Sequence, residues 1–113
     1  MIQIYHNPRC GKSRSALKIL DEKGLSFDTI LYLKEPPTFD ELKEVLSKLS
    51  MKPEALLRKG EAIYKEQYKG KSLSDDEWIT AMVENPILIE RPIVISGDKA
   101  VVGRPPEKVL EIL

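Results

Sequence analysis

The first third of the chain shows the periodicities of a strand, a helix and a second strand, and this order restricts the fold more than any other feature. Residues 2–6 alternate apolar and polar side chains, as a short strand does. Residues 12–23 carry apolar side chains at helical spacing, and Gly24 follows as a stop. Residues 27–33 are rich in apolar and β-branched side chains and predict another strand. Because one helix joins the two strands, we expect a right-handed βαβ unit with parallel strands.

Two capping boxes mark helices in the middle of the chain. Thr38 is followed three positions later by Glu41, and Ser74 by Glu77, the spacing at which each side chain bonds the other's backbone N–H. Each box precedes apolar residues at helical spacing. The positions predicted to be buried are Phe39, Leu42, Leu46 and Leu49 in the first helix, and Trp78, Ile79, Met82 and Val83 in the second.

The C-terminal part predicts a hairpin and a last helix. Residues 93–95 and 100–102 are apolar and β-branched, and the polar segment 96–99 between them is typical of a tight turn. Pro105-Pro106 then begins a helix over 107–113. The outer parts of the chain together predict an α/β fold of the thioredoxin-like class. Its four-stranded mixed sheet has flanking helices, in a single domain over 1–113 with a helical insertion at about 38–86.

Composition and charge exclude several classes of function. The chain has 113 residues, and its 18 Lys and Arg balance 18 Asp and Glu, so the basic excess of a nucleic-acid-binding protein is absent. No apolar run approaches the roughly 20 residues that span a bilayer, and the N-terminus lacks a signal-peptide pattern. We therefore expect a cytoplasmic protein with no membrane partner. No metal and no bound cofactor are expected, and nothing in the sequence demands more than a monomer.

Cys10, the only cysteine, lies in the turn between the first strand and the first helix. Unpaired N–H groups at a helix start lower a thiol pKa, and Arg9, Lys12 and Arg14 add positive charge nearby. The thiolate is the nucleophilic form, so the position predicts a reactive sulfur. The alternative, a buried structural cysteine, requires apolar neighbours that residues 7–14 do not provide.

Two polar residues near Cys10 are candidates for modulating it. His6, the only histidine, could tune the cysteine or accept a proton, or it could be a structural group. Ser13 could cap the helix or hydrogen-bond the thiolate. Cys10 and Ser13 also form a Cys-x-x-Ser pattern, which is similar to a redox Cys-x-x-Cys whose second thiol is replaced.

The segment 6–14 resembles the His-x3-Cys-x3-Arg signature of the glutaredoxin-dependent arsenate reductases, with His6, Cys10 and Arg14 at the signature positions. The resemblance continues in order along nearly the whole chain, and the short chain is similar to the arsenate reductase-like branch of that family. The further matching segments are Ile30-Leu31-Tyr32-Leu33, Pro36-Pro37, Leu56-Leu57-Arg58-Lys59, residues 85–94, and Gly103-Arg104-Pro105.

The resemblance implies specific roles. It implies that Cys10 attacks arsenate and that Arg58, Arg91 and Arg104 hold the oxyanion, which planar guanidinium groups can bind with two hydrogen bonds each. It also implies a cis peptide between Arg91 and Pro92. In the implied reaction, glutathione is the co-substrate and glutaredoxin completes the cycle, releasing arsenite. A chain with one cysteine cannot resolve its own intermediate, which is consistent with an external thiol.

Two other functions remain open at this point. A thiol oxidoreductase of the same fold, acting on glutathionylated proteins, would share every motif above. A regulator resembling the Spx-type proteins, which contact RNA polymerase, would share the fold, since a fold does not determine a function. Many Spx-type proteins carry Cys-x-x-Cys, whereas position 13 is serine here.

Overall fold

The computed structural model describes all residues, 1–113, and they divide into two compact units. The first unit combines Met1–Glu35 with Arg91–Leu113, and the second is the continuous segment Pro36–Glu90. The second unit begins and ends within a few residues of the helical insertion expected at 38–86. None of the helices combines the length and apolar character that crossing a membrane requires.

The first unit is built on a four-stranded mixed sheet of order β2-β1-β3-β4. β1 pairs in parallel with β2 and antiparallel with β3, and β4 completes the predicted hairpin with β3. The elements of this unit are β1 (Ile2–Tyr5), α1 (Gly11–Glu22), β2 (Phe27–Ile30), β3 (Ile93–Ser96), β4 (Lys99–Val102) and a C-terminal 3₁₀ helix (Pro106–Ile112). The α/β class and the mixed sheet predicted from the sequence are confirmed.

The core of this unit lies between the sheet, α1 and the C-terminal 3₁₀ helix. Its fully buried apolar residues are Ile4, Ala16, Leu20, Val94 and Val109. Burial of one such large aliphatic side chain stabilises the fold by about 1.5–3 kcal/mol relative to exposure. This core holds the start of α1 against the sheet and thereby fixes the position of the turn before it.

β2 is shorter than predicted. The sequence predicts a strand over 27–33, but β2 ends at Ile30, opposite Tyr5, where its partner β1 also ends. The N–H of His6 still donates to the Ile30 carbonyl at 2.9 Å, and beyond this bond the N–H groups of Lys34 and Glu35 turn back to the Leu31 carbonyl. A strand cannot continue where its neighbour no longer offers hydrogen-bonding groups.

The second unit is helical, and both predicted capping boxes are confirmed. In each, the serine or threonine side chain accepts from the backbone N–H three positions on, and the glutamate accepts in return. Its elements are α2 (Phe39–Leu49), a 3₁₀ helix (Pro53–Leu56), α3 (Ala62–Gln67), α4 (Asp75–Glu84) and a 3₁₀ helix (Pro86–Leu88). The predicted buried stripes are wrong at their edges. Val45 and Ala81 are buried, whereas Phe39, Leu49 and Val83 are partly exposed.

Gly103 must be a glycine because three side chains crowd its Cα. A Cβ at this position would lie 2.9 Å from Cγ of Pro92 and 3.2 Å from Cγ1 of Val109. We expect Gly103→Ala to lower the free energy of unfolding by about 1–3 kcal/mol, as overpacked cores do. Thermal denaturation followed by circular dichroism measures the loss. Gly60→Ala is the control, since a Cβ at Gly60 meets no atom within 4 Å, and equal melting temperatures for the two variants would contradict the prediction.

Candidate active site

A hydrogen-bonded turn delivers Cys10 to the start of α1. The side-chain Oδ1 of Asn7 accepts from the N–H of Arg9 at 3.0 Å, and the Asn7 carbonyl accepts from the N–H of Cys10 at 3.0 Å. Asparagine favours turns because its side chain substitutes for a backbone acceptor in this way. Cys10 consequently occupies the N-cap position of α1, with an extended backbone at φ −95° and ψ 122°.

The thiol of Cys10 is partly exposed and lies among hydrogen-bond donors. Burial by itself raises its pKa. Hydrogen bonds from the backbone N–H of Ser13, from the Arg91 side chain and from the backbone N–H of Lys12 act in the opposite direction and leave the pKa of Cys10 below that of an ordinary thiol. The free N–H groups of a helix N-terminus and a guanidinium therefore stabilise the thiolate together.

Two arginines meet at this sulfur because of the register of the hairpin. Ile93 pairs with Val102, so the residues two positions outside this pair, Arg91 and Arg104, face each other at the open end of the hairpin. Nη1 of Arg104 lies 4.0 Å from Sγ of Cys10 and donates to the Arg91 carbonyl at 3.2 Å. The cis peptide at Arg91-Pro92 is confirmed, and a second one, Arg104-Pro105, was not predicted.

His6 and Ser13 form a buried pair next to the turn. Nδ1 of His6 lies 2.7 Å from Oγ of Ser13, which also accepts from the N–H of Asn7 at 3.0 Å. Burial, and secondarily the charge of Arg14, lowers the pKa of His6, which favours the neutral ring. Ser13 thus contacts Cys10 through its backbone N–H, while its hydroxyl contacts His6. The sequence predicted that Ser13 could hydrogen-bond the thiolate, but it did not distinguish the backbone N–H from the hydroxyl.

The other two predicted arginines, Arg14 and Arg58, each donate hydrogen bonds to a protein group. Arg14 is exposed, and its Nη1 donates to the Pro8 carbonyl at 2.9 Å, which braces the turn. Arg58 belongs to the second unit, where Nη1 donates to Glu90 at 2.7 Å and Nε donates to Glu61 at 3.2 Å. Burial lowers the pKa of Arg58, but the two carboxylates more than offset this and raise it overall.

Asn7 and Gly103 contribute to the site and were not singled out from the sequence. Asn7 is 5% exposed and stabilises the turn through its N–H, its carbonyl and its side-chain Oδ1, each of which makes a hydrogen bond. Gly103 precedes Arg104 and lets the chain approach Pro92, whose carbonyl accepts its N–H at 2.9 Å. The Asn-Pro dipeptide was a usable turn signal for the first, whereas the crowding at Gly103 depends on residues distant in sequence. No group of three or more His, Cys, Asp or Glu residues is arranged to hold a metal ion.

The lowered pKa of Cys10 predicts its alkylation profile. The thiolate is the reactive form, so the rate of reaction with iodoacetamide rises with pH and reaches half its maximum at the pKa of the thiol. We expect this midpoint below the value of about 8.5 for a free cysteine, with reactivity lost as the pH falls through the lowered pKa. Stopped-flow or mass-spectrometric rates from pH 4 to 10 give the midpoint. The same protein unfolded in urea is the control, and coincident profiles would disprove the stabilisation.

Comparisons with known proteins agree with the fold. The ArsC family profile matches residues 5–112. The uncharacterized protein YfgD of Escherichia coli K12 is 47% identical over 99% of this chain and 96% of its own. An arsenate reductase of Neisseria meningitidis serogroup A is 40% identical over 99% of this chain and 97% of its own.

A solved structure extends the comparison to three dimensions. The arsenate reductase from Vibrio cholerae superposes with a TM-score of 0.95 at 47% sequence identity, covering 99% of this chain and 97% of that one. The mixed sheet and its helices are therefore shared with a solved structure as well as with the sequence profile. On the combined evidence of profile, relatives and structure, the chain belongs to the ArsC family.

Proposed function

We propose that this protein reduces arsenate to arsenite, with Cys10 as the nucleophile and with glutathione and glutaredoxin supplying the electrons. The observation that carries the proposal is the placement of the Cys10 sulfur at a helix N-cap beside Arg91 and Arg104. Relatives named arsenate reductase at 40–47% identity support the choice of substrate.

An anionic nucleophile attacking an anionic substrate needs positive charge around both. Guanidinium groups at the sulfur offset this repulsion, and their paired N–H groups match the geometry of a tetrahedral oxyanion. We assign this role to Arg91 and Arg104, and the family resemblance extends it to Arg58. His6 and Ser13 act as positioning residues that keep the N–H groups of the first helical turn directed at the sulfur, and Arg14 braces the turn from outside.

The proposed reaction balances with thiols as the only reductant. The Cys10 thiolate replaces one oxygen of arsenate, which leaves as water after protonation, and glutathione replaces a second oxygen in the same way. A glutaredoxin thiolate then attacks the glutathione sulfur. The sulfur–arsenic electron pair stays on arsenic, which becomes As(III), and a glutaredoxin–glutathione disulfide forms. Water finally releases arsenite and regenerates the Cys10 thiol. These thiols are kept reduced in the cytosol, where we propose that the protein works.

The test is a coupled assay with the purified protein. Arsenate, glutathione, glutaredoxin, glutathione reductase and NADPH are combined, and arsenite is quantified directly after chromatographic separation. We expect arsenite formation that depends on each of the protein, glutathione and glutaredoxin. A reaction with a known arsenate reductase verifies the coupling system. No arsenite above the protein-free rate in that verified system would disprove the proposal.

One observation also favours a second candidate function. Ser13 stands where a redox Cys-x-x-Cys would have its second thiol, and the partly exposed Cys10 has a lowered pKa, as a protein that removes glutathione from other proteins requires. Rates with a glutathionylated protein and with arsenate, measured under the same coupling conditions, separate the two functions. A higher kcat/KM for the glutathionylated protein would favour the second.

A further inference from the structure

The first unit carries a surface cleft of about 610 Å³ whose side chains have no binding role in the proposed reaction. The first two turns of α1 form one wall, and the beginning of the C-terminal 3₁₀ helix forms the other. Three cationic side chains, Lys12, Arg14 and Lys18, and one carboxylate, Glu107, line it. The volume falls within the range of about 300–1,000 Å³ that is typical of sites for small molecules.

On both walls, the cleft includes residues that are close in sequence to Cys10 or to Arg104, which contacts its sulfur. On the helical wall, its first residue, Gly11, directly follows Cys10. On the other wall, Pro106 follows Arg104 by two residues, and Nη1 of Arg104 is 4.0 Å from Sγ of Cys10. A molecule seated in the cleft can therefore present a reactive group to whatever is attached to Cys10.

The charged groups of the cleft remain available to a ligand. Lys18 pairs with Glu22 at 3.8 Å, but the two side chains are 77% and 64% exposed, and such surface pairs contribute little. Arg14 uses Nη1 on the Pro8 carbonyl, and a guanidinium carries five N–H donors in total. Exchanging these contacts for a carboxylate ligand therefore costs little.

We propose that this cleft binds glutathione and directs its thiol toward Cys10, an inference that rests on the proposed function. Glutathione carries two carboxylates and one ammonium, which match the cations and the single carboxylate of Glu107. Its thiol belongs to the middle residue, between the two carboxylate ends. Lys12 and Lys18 are separated by about 9 Å along the axis of α1, close to the roughly 10 Å length of an extended tripeptide.

The test measures the rate at which Cys10 reacts with glutathione disulfide, in the absence of arsenate. The Cys10 thiolate attacks one sulfur of glutathione disulfide, a Cys10–glutathione disulfide forms, and the other glutathione leaves as a thiolate with the electron pair of the broken bond. The second-order rate constant is compared with that for neutral 2-hydroxyethyl disulfide, and the ratio of the two rate constants removes any change in the reactivity of Cys10. We expect Lys12→Gln and Lys18→Gln each to lower this ratio by about two- to fivefold, the effect of one lost ion pair at an exposed site.

Two further variants separate a site from a general field of positive charge. Lys23→Gln removes the same charge at the far end of α1 and should leave the ratio unchanged. Glu107→Gln removes a negative charge, so a general field would raise the ratio, whereas loss of an ammonium partner lowers it. Equal ratios in the lysine variants and the wild type, or a raised ratio in Glu107→Gln, would overturn the proposal.

The coupled arsenate assay then links the cleft to turnover. We expect the KM for glutathione to rise in Lys12→Gln and Lys18→Gln while the KM for arsenate stays constant. A rise confined to the KM for glutaredoxin would overturn the proposal and identify the cleft as a docking surface for that protein. A wild-type protein that reacts selectively with glutathione disulfide but produces no arsenite would disprove the proposed function and leave the glutathione site intact.

Discussion

Cys10→Ser is expected to reduce arsenate turnover at least about a thousandfold, to the rate without protein. A serine hydroxyl does not ionise near neutral pH, and loss of a covalent nucleophile commonly has effects of this size or larger. The chain has no other cysteine to substitute for it. The measurement is the rate of arsenite formation in the coupled assay, with thiols and glutaredoxin at saturating concentrations.

The serine variant should remain folded, which makes the result interpretable. Cys10 is partly exposed and is not one of the buried core residues, so we expect an unchanged melting temperature. Arg91 and Arg104 also remain in place, and binding of arsenate measured by calorimetry should persist. A folded variant that retained a tenth of the wild-type activity would exclude Cys10 as the nucleophile.

Arg91→Ala is expected to lower kcat/KM for arsenate by about 10²–10³, the range seen when one donor to a reacting oxyanion is removed. Two effects combine here. Arg91 lowers the pKa of Cys10 through a hydrogen bond and through its charge, so its removal raises that pKa and reduces the thiolate fraction at neutral pH. The proposed contact with arsenate is lost as well. The coupled assay gives kcat/KM, and the alkylation midpoint gives the pKa.

Matched arginine variants separate the two effects. Arg91→Lys keeps the charge and loses the planar fork, so we expect it to restore the alkylation midpoint more fully than arsenate kcat/KM. Arg9→Ala removes an exposed arginine from the same turn and should change kcat/KM by no more than about threefold, because water and salt screen an exposed charge. Equal losses in Arg9→Ala and Arg91→Ala would show that only the summed charge of the loop matters.

Much of the fold and the lowered pKa of Cys10 could be predicted because their determinants are local. Capping boxes at Thr38 and Ser74 specify helix starts with two residues each. The position of Cys10 in a turn before a helix indicates a lowered pKa without knowledge of any distant residue. The hairpin follows from two apolar runs and the turn between them.

The parts that could not be predicted depend on contacts between distant segments. The end of β2 is set by where β1 ends, and the Glu90 partner of Arg58 is 32 positions away. The Ser13 hydroxyl contacts the ring of His6, which directly follows β1. Sequence patterns indicate which residues are candidates for the site. The packing of the folded chain determines which of their atoms face the sulfur.

Because the hairpin register positions the two arginines, changes in the hairpin turn should affect the site although the turn is far from the sulfur. Arg91 and Arg104 face each other only while Ile93 remains opposite Val102, and that alignment depends on the length of the turn at Gly97, which has a φ of +61°. The turn lies about 20 Å along the strands from the arginines. A single-residue insertion or deletion there would move one guanidinium away from the other. The length of this exposed turn therefore sets the spacing of the two guanidinium groups. We expect natural variation in its length to be rarer than its exposure implies.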